Sequence, residues 1–443
     1  MGTSTATVYA PSLLQRLVAS RARTDELFSI VRLDALYDRP IAERHRIIFY
    51  VGHLEAFDWN LLGRRHFGMP AFHPEFDQLF AFGIDPVGGG LPSDTPEDWP
   101  VRAQVEAYSL RIRNALDRRL ADTFDPFSES PAETAQLLNV AIEHRLMHAE
   151  TLAYMLHQLP SDRKFPRQDS RAPAAPPAAP RMVQIPAGVA TLGRRRETGG
   201  AFGWDNEFEE HSVTVPEFRI DAYMVTNGQF LRFVAEGGYQ ERSLWDPQDW
   251  SWLQSSGTAR PGFWFVRDNR AFLRTMFAEL PLPLDWPVYV SQAEAAAYAR
   301  WAGKELPSEA QWHRAAYGTP EGTERAFPWG GASPDASHGN FDFLRWDPAP
   351  VSAFPGGASA FGVVGLLGNG WEWTRTPFAP LPGFAPFPFY PGYSADFFDG
   401  RHYVMKGASA RTAACMLRRS FRNWFQPHYP FVYAGFRCVE TRA

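Results

Sequence analysis

Hydrophobic residues recur at intervals of three and four from residue 11 to about residue 160, with few strand-like alternations. This period is typical of amphipathic helices. It predicts four long helices, at residues 12–33, 43–65, 100–124 and 130–159. Four such helices indicate a bundle, which we assign to residues 1–160.

Two breaks interrupt this pattern. Between the second and third predicted helices, GIDPVGGGLPSDTPEDWP is dense in Gly, Pro and Asp, which predicts a long connection. After the bundle comes FPRQDSRAPAAPPAAP, whose Pro/Ala repetition cannot form a packed core. We interpret residues 161–180 as a semi-rigid extended linker.

From residue 181 the pattern changes to β-branched alternation broken by Gly and Pro, in MVQIPAGVATLG and HSVTVPEFRIDAYMVTN. Two short helical stretches and long loop-rich text follow. Residues 181–443 are therefore predicted to form a second, mixed α/β domain with much irregular structure. The predicted fold class is thus an α-helical bundle joined to a mixed α/β domain.

The composition of the chain is consistent with two domains and excludes some classes of binding partner. The chain has 443 residues, 45% of them hydrophobic, which is more than one core usually organises. With a net charge of −5 and no long Lys/Arg run, the sequence predicts neither a nucleic-acid partner nor an anionic-membrane partner. No apolar run approaches the ~20 residues of a membrane helix, and the first residues lack signal-peptide features. We expect a cytoplasmic protein that acts on small molecules.

Cysteine and aromatic content narrow the chemistry. Cys415 and Cys438 are too few for a disulfide framework or a four-thiolate zinc site. We expect Cys415 to be a small buried residue. Aromatic residues make up 15% of the chain, which suits stacking around a buried site.

The segment EHRLMHAET, residues 143–151, carries the first candidate chemistry. His144 and His148 are four residues apart, so on a helix they share one face and can direct two imidazoles at one ion. An ordinary pair of helix histidines remains the alternative. Glu150 lies roughly 200° around the helix from His148, so we expect it to support or pack the site rather than to ligate.

A third ligand must come from another helix. His53 fits because it lies in the middle of a predicted helix among aromatic residues, where an unpaired imidazole would be costly to bury. A core histidine bonded to a carbonyl is the alternative, and His45 is a reserve ligand. Glu55 falls on the wrong side of the helix. Three imidazoles with open positions suit Fe(II) or Zn(II).

Several phrases of the sequence resemble one known family. They are HRLMHAE, FGWDNEFEEHSVTVPEFRID, VTNGQFLRFV, PVYVSQAEAAAYARWAGKELPSEAQWHRAA, GNGWEWT and RNWFQPHYPFVYAGFRC. In this order they resemble the iron-dependent sulfoxide synthases of ergothioneine biosynthesis. The resemblance implies an N-terminal DinB-like four-helix bundle and a C-terminal domain of the formylglycine-generating-enzyme type, which is C-type-lectin-like.

The resemblance also implies a chemistry. Family members hold Fe(II) with three histidines, which map onto His53, His144 and His148. They use O2 to join a sulfur donor to the imidazole ring of hercynine, the trimethylated betaine of histidine. A three-imidazole face leaves positions where a thiolate and O2 can meet. The substrates would lie between the bundle and the second domain.

The family's substrate residues map onto the C-terminal phrases. Asn423 and Trp424 match positions that contact the amino-acid end of hercynine, where an indole face suits a quaternary ammonium. A structural Trp is the alternative. The family also uses a Tyr as proton donor, for which Tyr390 and Tyr393 are the candidates. Either could instead be a packed loop aromatic.

Three positions depart from the family's pattern. Met147 replaces a Gln that bonds the substrate imidazole, and a thioether cannot donate that hydrogen bond. Phe425 and Tyr429 replace an Asp and an Arg that bind γ-glutamylcysteine. These changes disfavour γ-glutamylcysteine and favour free cysteine or a thio- or selenosugar, the selenosugar being the donor of the related selenoneine synthases. An aromatic, weakly charged pocket suits a sugar.

Other functions stay open at this point. A formylglycine-generating oxidase is disfavoured because it needs paired cysteines, and only Cys415 lies in the matching region. A non-catalytic protein of the same fold, a zinc-dependent DinB-like thiol transferase, and the same chemistry on another histidine derivative are the remaining alternatives. Relatives can also bind a structural Ca(II), for which no residue here identifies a site.

Overall fold

The computed structural model describes residues 11–81, 91–123, 132–168, 173–196 and 201–441. The chain divides into two compact units, Met1–Pro166 and Arg167–Ala443. The division falls inside the segment 161–180 that the sequence predicts as a linker. Residues 83–90 of the Gly-rich connection 83–100 lie outside the described residues.

The first unit is helical. Its helices are α1 (Leu13–Ser29), α2 (Ile47–Asp58), α3 (Pro74–Leu79), α4 (Arg102–Thr123) and α5 (Ala132–Gln158). Helix α1 begins at a capping box, in which Ser12 and Gln15 satisfy each other's backbone N–H groups. It packs against α5, and α2 packs against α4 and α5. The four predicted helices are therefore present, with ends shifted by one to seven residues.

The second predicted helix differs from a regular α-helix. It is α-helical only as far as Asp58 and continues as a π-helix over Trp59–His66. The indole of Trp59 lies against Gly63, where a Cβ would come within 2.5 Å of the ring. The glycine thus gives the Trp59 side chain room to lie along its own helix.

The described residues of the second unit form four small sheets. Its strands are β1 (Met182–Ile185), β2 (Gly188–Leu192), β3 (His211–Val215), β4 (Phe218–Asp221), β5 (Trp264–Arg267), β6 (Arg270–Arg274), β7 (Glu279–Pro281), β8 (Gly370–Pro377), β9 (Tyr403–Ala408), β10 (Asn423–Phe425), β11 (Ala434–Gly435) and β12 (Val439–Thr441). They pair in the orders β1-β4-β12, β2-β3, β5-β6-β7 and β10-β9-β8-β11. All pairs are antiparallel except β8 with β11.

The second unit has more helix than the sequence predicts. Four α-helices occur in its described part, where two short helical stretches were expected. They are α6 (Asn227–Ala235), α7 (Pro247–Ser256), α8 (Gln292–Trp301) and α9 (Glu309–Tyr317). Capping boxes begin α6, α8 and α9, and α9 contributes Trp312 to a core shared with β1–β4. The prediction of a helical N-terminal part and a mixed α/β C-terminal part is confirmed.

No helix in the described ranges is both long and apolar enough to cross a lipid bilayer.

Candidate metal centre

Three histidine nitrogens converge inside the first unit. The Nε2 atom of His148 lies 3.2 Å from Nε2 of His53 and 3.1 Å from Nε2 of His144. The three ligand atoms all lie within 4.8 Å of one another, and all three side chains are buried. The structure thus brings together, from α2 and α5, the three residues that the sequence analysis singles out.

Stacked aromatic rings fix the orientation of two of these imidazoles, those of His53 and His144. Phe57 stacks on His144 with ring centroids 3.5 Å apart and planes 10° apart. Phe49 stacks on His53 at 4.8 Å and 21°. Because Phe49, His53 and Phe57 follow one another at four-residue intervals, they share one face of α2. This spacing was a readable signal in the sequence.

A backbone carbonyl selects the tautomer of His53. Its Nδ1 lies 2.7 Å from the carbonyl oxygen of Phe80, which follows α3. A carbonyl oxygen only accepts, so Nδ1 holds the proton and donates it. The Nε2 atom of the neutral ring then presents its lone pair to the cluster. A hydrogen bond to the far nitrogen is the usual way in which proteins orient a metal-binding histidine.

This donor set fits a divalent transition metal. Burial lowers the pKa of His53 to about 4 and the pKa values of His144 and His148 well below 6.5, so all three rings are neutral at pH 7. One Nε2 proton cannot serve both neighbours of His148, whereas one ion accepts all three lone pairs. Nitrogens bound at about 2.1 Å to one ion lie about 3 to 4 Å apart, close to the spacing found.

The neighbouring candidates have other contacts. The ring of His45 packs against Phe49, with centroids 4.1 Å apart and planes tilted by 31°, and His45 is not part of the cluster. Glu55 accepts hydrogen bonds from Arg145 at 2.8 Å and Arg113 at 2.7 Å. Burial would raise the pKa of Glu55, but these two cations outweigh it and hold the pKa at about 2. Glu150 is buried on α5 and is likewise absent from the cluster, and Met147 is half-buried one residue before His148.

Sequence reasoning missed Arg145. It lies between His144 and the rest of the motif, and its side chain is 0% exposed. Its guanidinium binds Glu55 and Asp58 of α2. A single Arg within a predicted helix gives no sign of burial, so only its partners in space identify it.

The other predicted site residues belong to the second unit. Asn423, Trp424 and Phe425 form β10, which pairs with β9. Trp424 stacks on Phe378 with centroids 4.2 Å apart and planes 6° apart, and it stays partly exposed. Phe425 stacks on Tyr429 at 5.3 Å and 10°. The two residues that replace the family's charged pair therefore contact each other.

The two tyrosine candidates differ in their surroundings. Tyr393 is buried, stacks on Trp204 at 4.0 Å, and meets Trp424 edge-on at 5.5 Å. Tyr390 is half-buried and lies 5.5 Å from Tyr393.

The expectation for Cys415 was wrong. Its side chain is exposed, whereas Cys438 is buried. Cys415 lies in a short 3-10 turn, Ala414–Met416, which directs Met416 into the core and leaves the preceding residue at the surface.

Known proteins resemble this chain in both of its units. The family model of the sulfatase-modifying factor enzyme 1-like domain matches residues 168–442. Ergothioneine biosynthesis protein 1 of Neurospora crassa is 28% identical over 493 residues, which cover 92% of this chain and 55% of that protein.

Two hercynine oxygenases align with most of the chain. That of Mycolicibacterium smegmatis is 36% identical over 378 residues, which cover 83% of each chain. That of Mycolicibacterium thermoresistibile is 33% identical over 450 residues, which cover 99% of this chain and 96% of the relative. This likeness includes the helical unit as well as the C-terminal domain. The chain therefore belongs to the hercynine oxygenase family of iron-dependent oxidoreductases.

Proposed function

We propose that this protein uses Fe(II) and O2 to join a sulfur or selenium donor to the imidazole ring of hercynine. The observation that carries the proposal is the convergence of three neutral, buried imidazole nitrogens. The hercynine oxygenases that align with the chain support the choice of substrate.

His53, His144 and His148 would hold the iron. Iron bound by three imidazoles supplies open coordination positions at which a thiolate or selenolate and O2 are brought together. The protein's own contribution is to keep the three rings neutral by burial and to orient them. Phe80 orients the ring of His53 through its carbonyl, and Phe57 orients the ring of His144 by stacking.

Trp424 and Asn423 are our proposed contacts for the betaine end of hercynine. The indole is held flat against Phe378, so its orientation is fixed before any ligand arrives. A fixed, partly exposed indole attracts a quaternary ammonium through the negative face of the ring. Asn423 accepts a hydrogen bond from the backbone N–H of Trp424 through Oδ1, which leaves its amide group as a donor.

The donor is proposed to be weakly charged. Phe425 and Tyr429 present stacked rings where the family pattern has a carboxylate and a guanidinium. Such rings cannot pair with the charged ends of γ-glutamylcysteine, but they can pack against a sugar ring or a small thiol. We therefore favour a selenosugar or thiosugar, followed by cysteine. Met147 would contribute an apolar wall beside His148.

Tyr393 is our preferred proton donor. It contacts Trp424 and Trp204, whereas the ring of Tyr390 lies against Tyr393. If Tyr393 has this role, Tyr393→Phe lowers kcat with hercynine while Tyr390→Phe, the matched control, leaves kcat within about twofold. An equal loss in both variants, or a loss only with Tyr390→Phe, would refute the assignment.

The whole reaction is tested by an anaerobic titration. Fe(II)-loaded protein is mixed with hercynine and then with selenoglucose, thioglucose, cysteine or γ-glutamylcysteine in separate arms, exposed to O2, and analysed by mass spectrometry. We expect a hercynine adduct with a sugar donor and little with γ-glutamylcysteine. An adduct with γ-glutamylcysteine alone would contradict the donor proposal but keep the chemistry.

The remaining functions have distinct outcomes in the same experiment. A zinc-dependent thiol transferase would form its product without O2 and would prefer Zn(II). A non-catalytic protein would bind a ligand without consuming O2. Adducts that form only with another histidine derivative would show that the acceptor substrate is not hercynine. Met147 would then be the first residue to examine as a determinant of acceptor specificity.

A further inference from the structure

A buried ion cluster joins the two helices that carry the histidines. The Nη1 group of Arg145, on α5, donates to Glu55 at 2.8 Å, and its Nη2 group donates to Asp58 at 2.7 Å, both on α2. The three side chains are 0%, 1% and 0% exposed. Surface ion pairs contribute little, whereas these groups are fully withdrawn from water.

The same guanidinium also holds the backbone of α2. Its Nη2 group donates to the carbonyl oxygen of Leu54 at 2.9 Å. Leu54 follows His53, and Arg145 follows His144. The contact therefore joins the two helices one residue away from a candidate ligand on each side. Because the guanidinium is planar and its donors have fixed directions, three such contacts define both the rotation and the axial position of α2.

The cluster lies at a point where α2 needs such a restraint. Asp58 is the last α-helical residue, and the π-helix begins at Trp59. A π-helix changes the number of residues per turn, and such segments are rare and marginal. A one-residue shift of α2 would turn His53 by about 100°, out of reach of His148.

The energetics favour a role in position rather than in stability. Replacement of a buried ion cluster by apolar side chains of similar volume is often neutral or stabilising. Stability alone therefore does not explain why three charged residues lie together in the core. The geometry here supplies one, since its hydrogen bonds have directions that apolar contacts lack.

We propose that Arg145 is a positioning residue for the metal centre, which rests on the function proposed above. By binding Glu55, Asp58 and the Leu54 carbonyl, it sets the register of α2 on α5 so that the three Nε2 atoms converge. It does not touch the metal or the substrates.

The test replaces the cluster in the full-length protein and uses Co(II) as probe. The triple variant Glu55→Met, Asp58→Leu, Arg145→Met removes these three charges together. Arg113, the other partner of Glu55, keeps its two hydrogen bonds to Asp25 at 2.7 Å, so no ion is left unpaired. We expect it to fold, as judged by circular dichroism and thermal unfolding, and to bind Co(II) about 10- to 100-fold more weakly, with an altered visible spectrum. The triple variant with wild-type affinity and spectrum would overturn the proposal.

A conservative variant separates position from charge. Arg145→Lys keeps the charge but cannot serve two carboxylates and a carbonyl with a fixed fork. We expect its Co(II) affinity to stay at least about tenfold below wild type. Full recovery with Lys would show that charge alone is needed and would overturn the positioning role.

A matched control breaks another ion pair of the same unit. Arg163 pairs with Asp34 at 2.7 Å and with Asp38 at 2.8 Å, and none of these three residues lies on α2 or α5. Arg163→Met should lower thermal stability while Co(II) affinity stays within about twofold of wild type. A loss of affinity equal to that of the triple variant would overturn the proposal in favour of general destabilisation. If the wild-type protein bound neither Co(II) nor Fe(II), the proposed function itself would fail, and this inference with it.

Discussion

His148 is the central residue of the histidine cluster, because its Nε2 atom contacts the Nε2 atoms of both His53 and His144. A neutral imidazole offers only one proton or one lone pair at that atom. Without an ion, the two contacts cannot both be good hydrogen bonds. The arrangement is therefore better suited to a shared cation than to a set of core histidines bonded to one another.

Loss of His148 should abolish tight metal binding. Removal of an outer partner of a ligand already costs about 10- to 100-fold in affinity, so removal of the ligand should cost more. We expect His148→Ala to retain less than about a tenth of the wild-type iron after chelator challenge, measured by metal analysis, and to lose hercynine-dependent O2 uptake.

His45→Gln is the matched control for this variant. His45 packs against Phe49 close to the cluster but is not part of it. Its iron content should equal that of the wild type. Loss of iron in His45→Gln together with retention in His148→Ala would reject the assigned ligand set.

A second prediction at the residue scale concerns Lys406 and the pH dependence of the free energy of unfolding. It is 2% exposed on β9, and its ammonium donates to the carbonyl oxygens of Phe421 at 2.6 Å and Arg419 at 3.1 Å, just before β10. Burial lowers the pKa of Lys406 to about 8, although Glu309 opposes the shift. The pKa in the unfolded chain is 10.5.

The sign of the pH dependence follows from how tightly the folded and unfolded chains bind the proton of Lys406. Between pH 8 and 10.5 the unfolded chain binds the proton more tightly, so the free energy of unfolding rises with pH across this window. Below pH 8 the full penalty applies, on the order of 3 kcal/mol. Lys406→Met should therefore show a flatter dependence of unfolding free energy on pH between about 8 and 9.5, measured by urea titration. Parallel curves for variant and wild type would contradict this.

At the scale of elements, the candidate metal site depends on the close packing of α2. Gly52 precedes His53, and a Cβ at this position would come within 2.6 Å of the ring of Phe80. Phe80 is 0% exposed, so its ring has little room to move. The carbonyl of the same residue holds His53. One glycine thus allows α2 to approach the residue that orients a candidate ligand.

Gly52→Ala should destabilise the protein and weaken metal binding. Overpacking a core costs about 1–3 kcal/mol, which exceeds the gain of up to about 1 kcal/mol in helix propensity. We expect a lower melting temperature and a several-fold lower affinity for Co(II), measured by spectroscopic titration. Adding Phe80→Leu should recover part of both losses, because the two substitutions share one space. Independent, additive effects would show that the glycine has a different role.

At the scale of the whole molecule, all three candidate ligands belong to Met1–Pro166, whereas the aromatic residues proposed to contact the substrates belong to the C-terminal unit. A ligand that binds only the native state stabilises the elements that hold it, by RT ln(1 + [L]/Kd). Metal binding should therefore act first on α2 and α5.

Hydrogen exchange of the full-length protein tests this expectation. Saturating Co(II) should slow amide exchange in peptides of Ile47–Asp58 and Ala132–Gln158 by at least about tenfold, because opening of these helices then requires loss of the ion. Peptides of β1–β4 should change little. The His148→Ala variant should show no effect of Co(II). Slowing confined to the strands, with none in α2 or α5, would place the metal elsewhere.

Some features of the fold and the site could be predicted from the sequence, and others could not. The four-residue spacing of His144 and His148 is set by helix geometry, so the sequence alone predicts that they share a face. The β-branched alternation likewise predicts β1 to β4. The π-helix after Asp58 was not predicted, because tertiary packing overrides local preference there. The additional helices of the second unit were not predicted either, although the capping boxes that begin α6, α8 and α9 are local signals in the sequence. The exposure of Cys415 was misjudged because a short turn, rather than residue type, decides it.

The sequence by itself determined the two-part organisation, the helical and mixed character of the parts, and a short set of histidines from which a metal centre can be built. These features follow from periodicity and spacing, which are local. Only the tertiary structure decided that His53 rather than His45 meets His148, that Phe80 sets its tautomer, and that Arg145 ties α2 to α5. Those facts depend on the rotation and register of one helix against another. No local pattern encodes that register, because it results from all the side chains packed between the two helices.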